Sequence, residues 1–281
     1  MVTALARQLP DLDYAPEDFF PGPYRPDTQF YIDRLSEATM QAAKRLHRGR
    51  ILDVACGTAG QMIELSQKGW QAWGLDASDK MLTIARNDAQ KREANVSLVR
   101  GIAERLPFRD SSFDRLICKG SLDHFADPEA FIREVARVLK PNGRAVFALA
   151  NYESLSCRLG RWLHPFLVRC HRPSKAERPY WAIPPDHTFK GDYDRVVRLG
   201  NGWLELRKCL GVSLLWLFPG WGSFLDKLPR GLAYATLKTA DAIARLAPGM
   251  SDVVISVWSP RPEVKRRKAP RRTKRQSRRA G

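Results

Sequence analysis

Ile51-Leu52-Asp53-Val54-Ala55-Cys56-Gly57-Thr58-Ala59-Gly60 decides the reading of this 281-residue chain. A short apolar strand ends at an acidic residue, a turn of small residues follows, and a helix then opens. That order brings backbone N–H groups and a helix N-terminus to the C-terminal edge of a sheet, where open α/β folds hold their ligands. A carboxylate at Asp53 repels a pyrophosphate and attracts a cation. The stretch therefore predicts a nucleoside-like, positively charged ligand rather than a dinucleotide.

Outward from this run, strands and helices alternate. The pattern predicts strands over 50–55, 71–75, 96–99, 113–119 and 144–150, with helices over 59–68, 79–92 and 128–139 between them. A helix over 29–47 precedes the first strand. Asp127-Pro128 marks a helix start, with a capping side chain and then Pro at the first helical position. Lys140-Pro141-Asn142-Gly143 stops that helix and turns the chain. Such alternation means βαβ units and a parallel sheet. A helix near 190–200, another over 229–246 and strands over 203–209 and 252–258 complete the set. The expected fold is α/β, a doubly wound, mostly parallel seven-stranded Rossmann-like sheet with helices on both faces. Residues 1–28 read as an irregular lead-in and 29–260 as the domain. The Pro-, Arg- and aromatic-rich stretch 151–185 reads as an inserted lid or cap.

Composition narrows the function. Hydrophobic residues make up 44% of the chain and there are eight Trp, enough for a real core. The five Cys are scattered, with no CxxC, so they read as reduced cytosolic thiols, and no metal-ligand spacing is spelled. The first residues lack a sustained apolar run, which predicts a cytoplasmic protein without a secretory signal. The net charge of +17 is uneven: residues 261–281 hold eleven Lys/Arg and one Glu, a surplus of +10, which leaves +7 for the rest. That tail cannot bury a core and reads as disordered. An anionic membrane surface is the partner it fits best, giving a peripheral position at the membrane. Nucleic acid is not favoured as a substrate, because no NPPY-like motif follows the 113–119 strand and no Pro-Cys pair is present.

Three more segments complete the pattern. Gly74-Leu75-Asp76 ends the second strand 19 residues after Gly57, and a carboxylate there can accept both ribose hydroxyls of a nucleoside. Ala77, Ser78 and Met81 follow at the next helix start. Gly101-Ile102-Ala103-Glu104-Arg105-Leu106-Pro107-Phe108 ends the third strand, where an adenine ring can lie against backbone. Phe113-Asp114 opens the strand that ends at Cys118-Lys119-Gly120-Ser121. Taken together, LDVACGTAG, GLDASDKML, GIAERLPFRDSSFD and REVARVLKPNGR resemble the class I S-adenosylmethionine-dependent methyltransferases. The likeness is to the type 11 group, which includes the quinone-biosynthesis methyltransferases. It covers residues 50–150. It implies S-adenosyl-L-methionine as cofactor, with Asp53, Ala55 and Gly57 of the loop around the methionine part and Lys119 among the cofactor-binding residues. Asp76, Ala77 and Met81 would then flank the ribose, and Ile102 and Ala103 the adenine.

Two departures from the family pattern stand out. Ala55 and Ala59 replace loop glycines, and Ile102 replaces an Asp that accepts from the adenine amino group. Losing that bond costs about 0.5–1.5 kcal/mol if water takes its place.

The sulfonium makes the transferred methyl electrophilic, so the protein mainly supplies position. Orientation contributes roughly 7–11 kcal/mol, against roughly 10²–10⁴-fold in rate from a general base. His124, in Asp123-His124, and His187, in Asp186-His187, are the candidate catalytic residues, since a carboxylate can orient an imidazole. Trp162, Phe166, Trp181, Trp216, Phe218 and Trp221 are available to line a pocket for a small apolar or aromatic acceptor methylated at oxygen or carbon. Two other readings stay open here: a nicotinamide-dependent oxidoreductase, in which Asp76 also holds a ribose, and a non-catalytic cofactor-binding module tethered by its tail.

Overall fold

A computed structural model describes residues 24–44, 48–170, 179–200 and 202–262. Helix α1 (Pro26–Ala43) leads into strand β1 (Arg50–Val54), α2 (Gly60–Gln67), β2 (Gln71–Asp76), α3 (Asp79–Lys91) and β3 (Val96–Arg100). Strand β4 (Phe113–Lys119), α4 (Pro128–Val138) and β5 (Leu139–Ala150) follow. Beyond them come α5 (Leu155–Cys170), α6 (Tyr193–Leu199), β6 (Leu204–Val212), α7 (Trp221–Asp226), α8 (Arg230–Leu246) and β7 (Val253–Pro260).

The seven strands form one sheet in the order β3-β2-β1-β4-β5-β7-β6. Pairing is parallel except at β7, which runs antiparallel to both β5 and β6. The expected doubly wound, mostly parallel sheet is therefore present. Strand order reverses between β1 and β4, so the chain leaves their C-terminal ends toward opposite sides. That divergence opens the cleft used by such sheets.

Period-2 alternation fills both faces. Leu52, Val54, Leu116, Cys118, Phe147 and Leu149 point to one layer, with Phe131, Ile132 and Val135 of α4. Ile51, Ile117, Val146 and Ala148 point to the other, with Tyr31 and Ala38 of α1 and Met62 of α2. Two charged residues sit inside the buried strand β4 and are compensated locally. Asp114 accepts from the Arg50 N–H at 3.0 Å and from Lys140 at 2.8 Å, while Arg115 donates to the Ala43 carbonyl at the end of α1.

The boundaries move where local chemistry dictates. α1 starts at Pro26, inside the stretch read as lead-in, because Pro occupies its first turn. Asp127 caps α4 as expected, accepting from the Ala130 N–H at 2.9 Å. The Lys140–Gly143 turn is an excursion within β5 rather than its start: Leu139 already pairs with Phe113, and pairing resumes at Arg144 with Arg115.

The REVARVLKPNGR segment has a structural role. Arg137 donates to the Phe108 and Leu106 carbonyls and pairs with Glu134 and Asp110. Glu134 in turn accepts from the Leu106 N–H at 2.8 Å. The turn after β3 is thus clamped onto α4. The tail read as a membrane contact lies outside the described residues, apart from Arg261 and Pro262. Among the described residues, no helix is long and apolar enough to cross a membrane.

Candidate cofactor and acceptor site

The loop after β1 is a compressed turn. Ala55, Gly57 and Ala59 all adopt left-handed backbone, with φ of 58°, 53° and 53°. The two alanines therefore occupy conformations that glycine adopts without steric cost. Asp76, at the end of β2, closes the turn. Its Oδ2 accepts from the Gly57 N–H at 2.8 Å and its Oδ1 from the Ser78 N–H at 2.9 Å. Ser78 caps α3 by accepting from the Met81 N–H. Gly74 keeps β2 close to the loop, since a Cβ there would stand 2.8 Å from Cys56 Sγ. Asp76 retains further lone pairs on both oxygens, enough to accept a diol.

A cavity of about 210 Å³ opens beside this turn, lined by Asp53, Ala55, Cys56, Thr58, Gly60, Gln61 and Lys119. Three of the nine expected cofactor residues, Asp53, Ala55 and Lys119, line it directly. Gly57 and Asp76 adjoin it through their hydrogen bond. Ala77, Met81, Ile102 and Ala103 lie outside its wall, toward the β2 and β3 ends; Met81 and Ala103 are buried and Ile102 half-buried.

Asp53 is 5% exposed and its Oδ1 has no hydrogen-bond partner. Burial pushes its carboxyl up to about 7; Lys119 opposes the shift and Asp76 adds to it. Burial lowers the Lys119 ammonium, against the pull of Asp53. Lys119 Nζ reaches Ser36 Oγ on α1 at 3.4 Å. Sequence reasoning missed Gln61, whose buried amide nitrogen and oxygen both lack partners. Its position one residue into the helix that opens after the loop was the available signal. Cys56 is half-buried, and burial raises its thiol, so it fills the loop rather than reacts.

The two Asp-His pairs come together crosswise. His187 Nδ1 stands 3.0 Å from Asp123 Oδ2, and His124 Nδ1 stands 3.1 Å from Asp186 Oδ2. Each carboxylate thus faces the histidine of the other pair. The imidazoles meet edge to face, with centroids 4.5 Å apart. Thr188 joins the two loops by donating to the Asp123 carbonyl from its N–H and its hydroxyl, at 2.7 and 2.9 Å. The His187 side chain is 8% exposed and that of His124 is 32% exposed.

The aromatic residues expected to line one acceptor pocket are divided instead. Trp162 is 66% exposed on α5. Trp181 packs against His164 and Tyr180, over Gly160, where a Cβ would collide with both rings. Trp216 stacks on Tyr31 with centroids 3.7 Å apart, and Trp221 stacks with Phe224 near α1. Phe218 is half-buried in the loop before α7, and the Phe166 side chain lies outside what is described. The reason is topological: these residues come from two connections, β5 to β6 and β6 to β7, and each packs against its own neighbours.

The cleft between β1 and β4, the Asp76 clasp and the buried Asp53 together decide the comparison. Residues 52–147 match the methyltransferase-domain family. Across 157 residues the chain is 42% identical to a demethylmenaquinone methyltransferase of Staphylococcus epidermidis, covering 50% of this chain and 64% of that protein. It is 40% identical over 96 residues to an uncharacterized methyltransferase of Bacillus subtilis, covering 34% of this chain and 38% of that one. The chain thus spans less than two thirds of the length of these relatives. A solved structure from Pyrococcus horikoshii shares the fold, with a TM-score of 0.56 at 23% identity over 88% of this chain and all of that one. The matched methyltransferase domain runs from β1 into β5. All nine expected cofactor residues, from Asp53 to Lys119, fall within its span.

Proposed function

We propose that this protein is an S-adenosylmethionine-dependent methyltransferase acting on a small apolar or aromatic acceptor, at oxygen or carbon. The observation that carries the reading is Asp53: a buried carboxylate with an unpartnered oxygen, lining the cavity beside the loop that Asp76 closes. Asp53 and the oppositely charged Lys119 line one cavity, which suits the zwitterionic amino-acid end of the cofactor. Gln61 adds an unpartnered amide donor and acceptor to the same wall. Asp76 would accept from the ribose, and Ile102 and Ala103 would flank the adenine. Ile102 offers only packing there, so affinity rests on the Asp53 and Asp76 ends.

When bound, the cofactor supplies an electrophilic methyl on its sulfonium, and the protein supplies orientation and a dry environment. His124 is the more open of the two histidines and stands on the loop after β4, so it would meet the acceptor. His187 sits behind it. The demethylmenaquinone methyltransferases among the relatives favour a quinone-like acceptor. The basic residues 261–281 would hold the protein at an anionic membrane, where such an acceptor dissolves.

Calorimetric titration with S-adenosylhomocysteine tests the reading. Micromolar-range binding to the wild type, reduced at least tenfold by Asp76→Ala and by Lys119→Ala, is expected. No heat and no thermal shift with S-adenosylhomocysteine would overturn it.

A further inference from the structure

We propose that Asp123, His124 and His187 form a binding site for one divalent transition-metal ion. Each residue offers one ligand atom, and these atoms all lie within 4.8 Å of one another. Ligands held about 2.0–2.2 Å from an ion at tetrahedral angles stand about 3.4 Å apart, so closure asks only small rotamer adjustments. Two imidazoles and one carboxylate from one side are a donor set that suits such ions and leaves further coordination positions open.

The buried polar atoms point the same way. His187 Nδ1 is 3.0 Å from Asp123 Oδ2, yet the nitrogen has no hydrogen-bond partner. Asp123 Oδ1 is also unpartnered. Both side chains are more than nine-tenths buried, at 8% and 4% exposure. Orphaned buried donors and acceptors are costly, and an ion would satisfy both at once. Asp186 faces His124 Nδ1 at 3.1 Å and so fixes that ring while leaving its other nitrogen for the ion, as outer carboxylates do at metal-bound histidines. The double hydrogen bond from Thr188 holds the two loops in register. His124 is the exposed edge of the cluster, so an ion there would have its open positions toward solvent and acceptor. The cluster begins four residues after Lys119, which lines the cofactor cavity, so an acceptor oxygen could be held by the ion. Such a role rests on the methyl-transfer reading, whereas ion binding itself does not.

The test uses the full chain, stripped with a chelator and dialysed, then titrated with Zn²⁺ and Co²⁺ by calorimetry and, for Co²⁺, visible absorption. One equivalent bound at micromolar or tighter affinity is expected. Affinity should fall at least tenfold in His187→Ala and in Asp123→Asn. Asp186→Asn, a change at a positioning residue, should weaken binding about 10–100-fold and perturb the Co²⁺ spectrum. Thermal unfolding and S-adenosylhomocysteine binding are read on each variant. A variant that has lost its fold is replaced by His124→Asn, which alters the exposed edge only. Absence of stoichiometric binding by the wild type would overturn the proposal. So would undiminished binding in folded His187→Ala or, where that variant does not fold, in His124→Asn, which would place the ion elsewhere. Because S-adenosylhomocysteine reports on the Asp53–Asp76 end, failure of the metal site and failure of the methyltransferase reading give different results.

Discussion

On the proposed cofactor reading, Asp53 would couple ligand binding to the proton. Its carboxyl is raised to about 7, mainly by burial, against an unfolded value near 3.9. Folding therefore favours the protonated form, and the cost of ionised Asp53 grows as pH rises from about 4 to about 7. Asp53→Asn removes that cost. It should raise stability at pH 8 by an amount on the order of a few kcal/mol, and leave it unchanged below pH 4, read as the shift of the melting temperature across pH. A cation in the cavity needs the carboxylate, so cofactor affinity should fall as pH drops below about 7, by at most tenfold per unit. The same variant should lose that pH dependence along with most of the affinity. At Ala59 the left-handed backbone costs about 1–2 kcal/mol for an L-residue, and glycine adds about 0.5–1 kcal/mol of backbone entropy. Ala59→Gly should therefore stabilise the protein by about 0.5–1 kcal/mol, seen as a higher urea midpoint with an unchanged slope.

At the scale of elements, Asp252 shows how the second half of the chain is pinned to the sheet. It sits at the start of β7 and is 7% exposed. It accepts from Ser156 Oγ on α5 at 2.7 Å and from the Trp216 N–H at 2.9 Å. Burial still raises its carboxyl to about 6, with these hydrogen bonds opposing the shift. Asp252→Ala removes the carboxylate that accepts from the Trp216 N–H, so amide exchange at Trp216 should accelerate while the β1–β4 amides stay protected. Much at this scale was legible in the sequence. Apolar runs gave all seven strands, and Asp127-Pro128 gave the start of α4. The β5 boundary was not legible, because Lys140–Gly143 carries turn residues and only pairing with β4 reveals an excursion within a strand. The packing partners of the aromatic residues were not legible for a related reason: composition gives the number of rings but not the neighbours each one meets.

For the whole molecule, Asp241 is the main tie between the first and last helices. It is 1% exposed on α8, and it accepts from Arg34 of α1 at 2.7 Å, from Arg245 at 2.7 Å and from the Ser213 N–H at 3.2 Å. Removing one partner of a buried pair leaves a desolvated charge. Asp241→Ala should cost about 3–5 kcal/mol in denaturant unfolding, since the buried Arg34 then keeps only the exposed Glu37 as its ion-pair partner, while Arg245→Ala, at a half-exposed partner, should cost under about 1 kcal/mol. The basic tail makes the opposite prediction. Arg261 still belongs to the fold, since it donates to the Trp203 and Leu204 carbonyls. A chain ending at Pro262 should therefore keep its unfolding midpoint and its S-adenosylhomocysteine affinity, and lose binding to anionic vesicles in a sedimentation assay.

The sequence by itself determined the loop architecture of this protein, from Asp53 through the turn to Asp76 and on to the turn after β3. Those residues act through backbone conformation and strand ends, which short-range periodicity and turn chemistry specify. Only the tertiary structure decided how the two Asp-His pairs meet. Asp123 and His187 are 64 positions apart, and neighbouring residues in a sequence say nothing about which carboxylate faces which imidazole. The crosswise pairing arises because the loop after β4 and the segment before α6 are brought together over the end of the sheet, where Thr188 joins them.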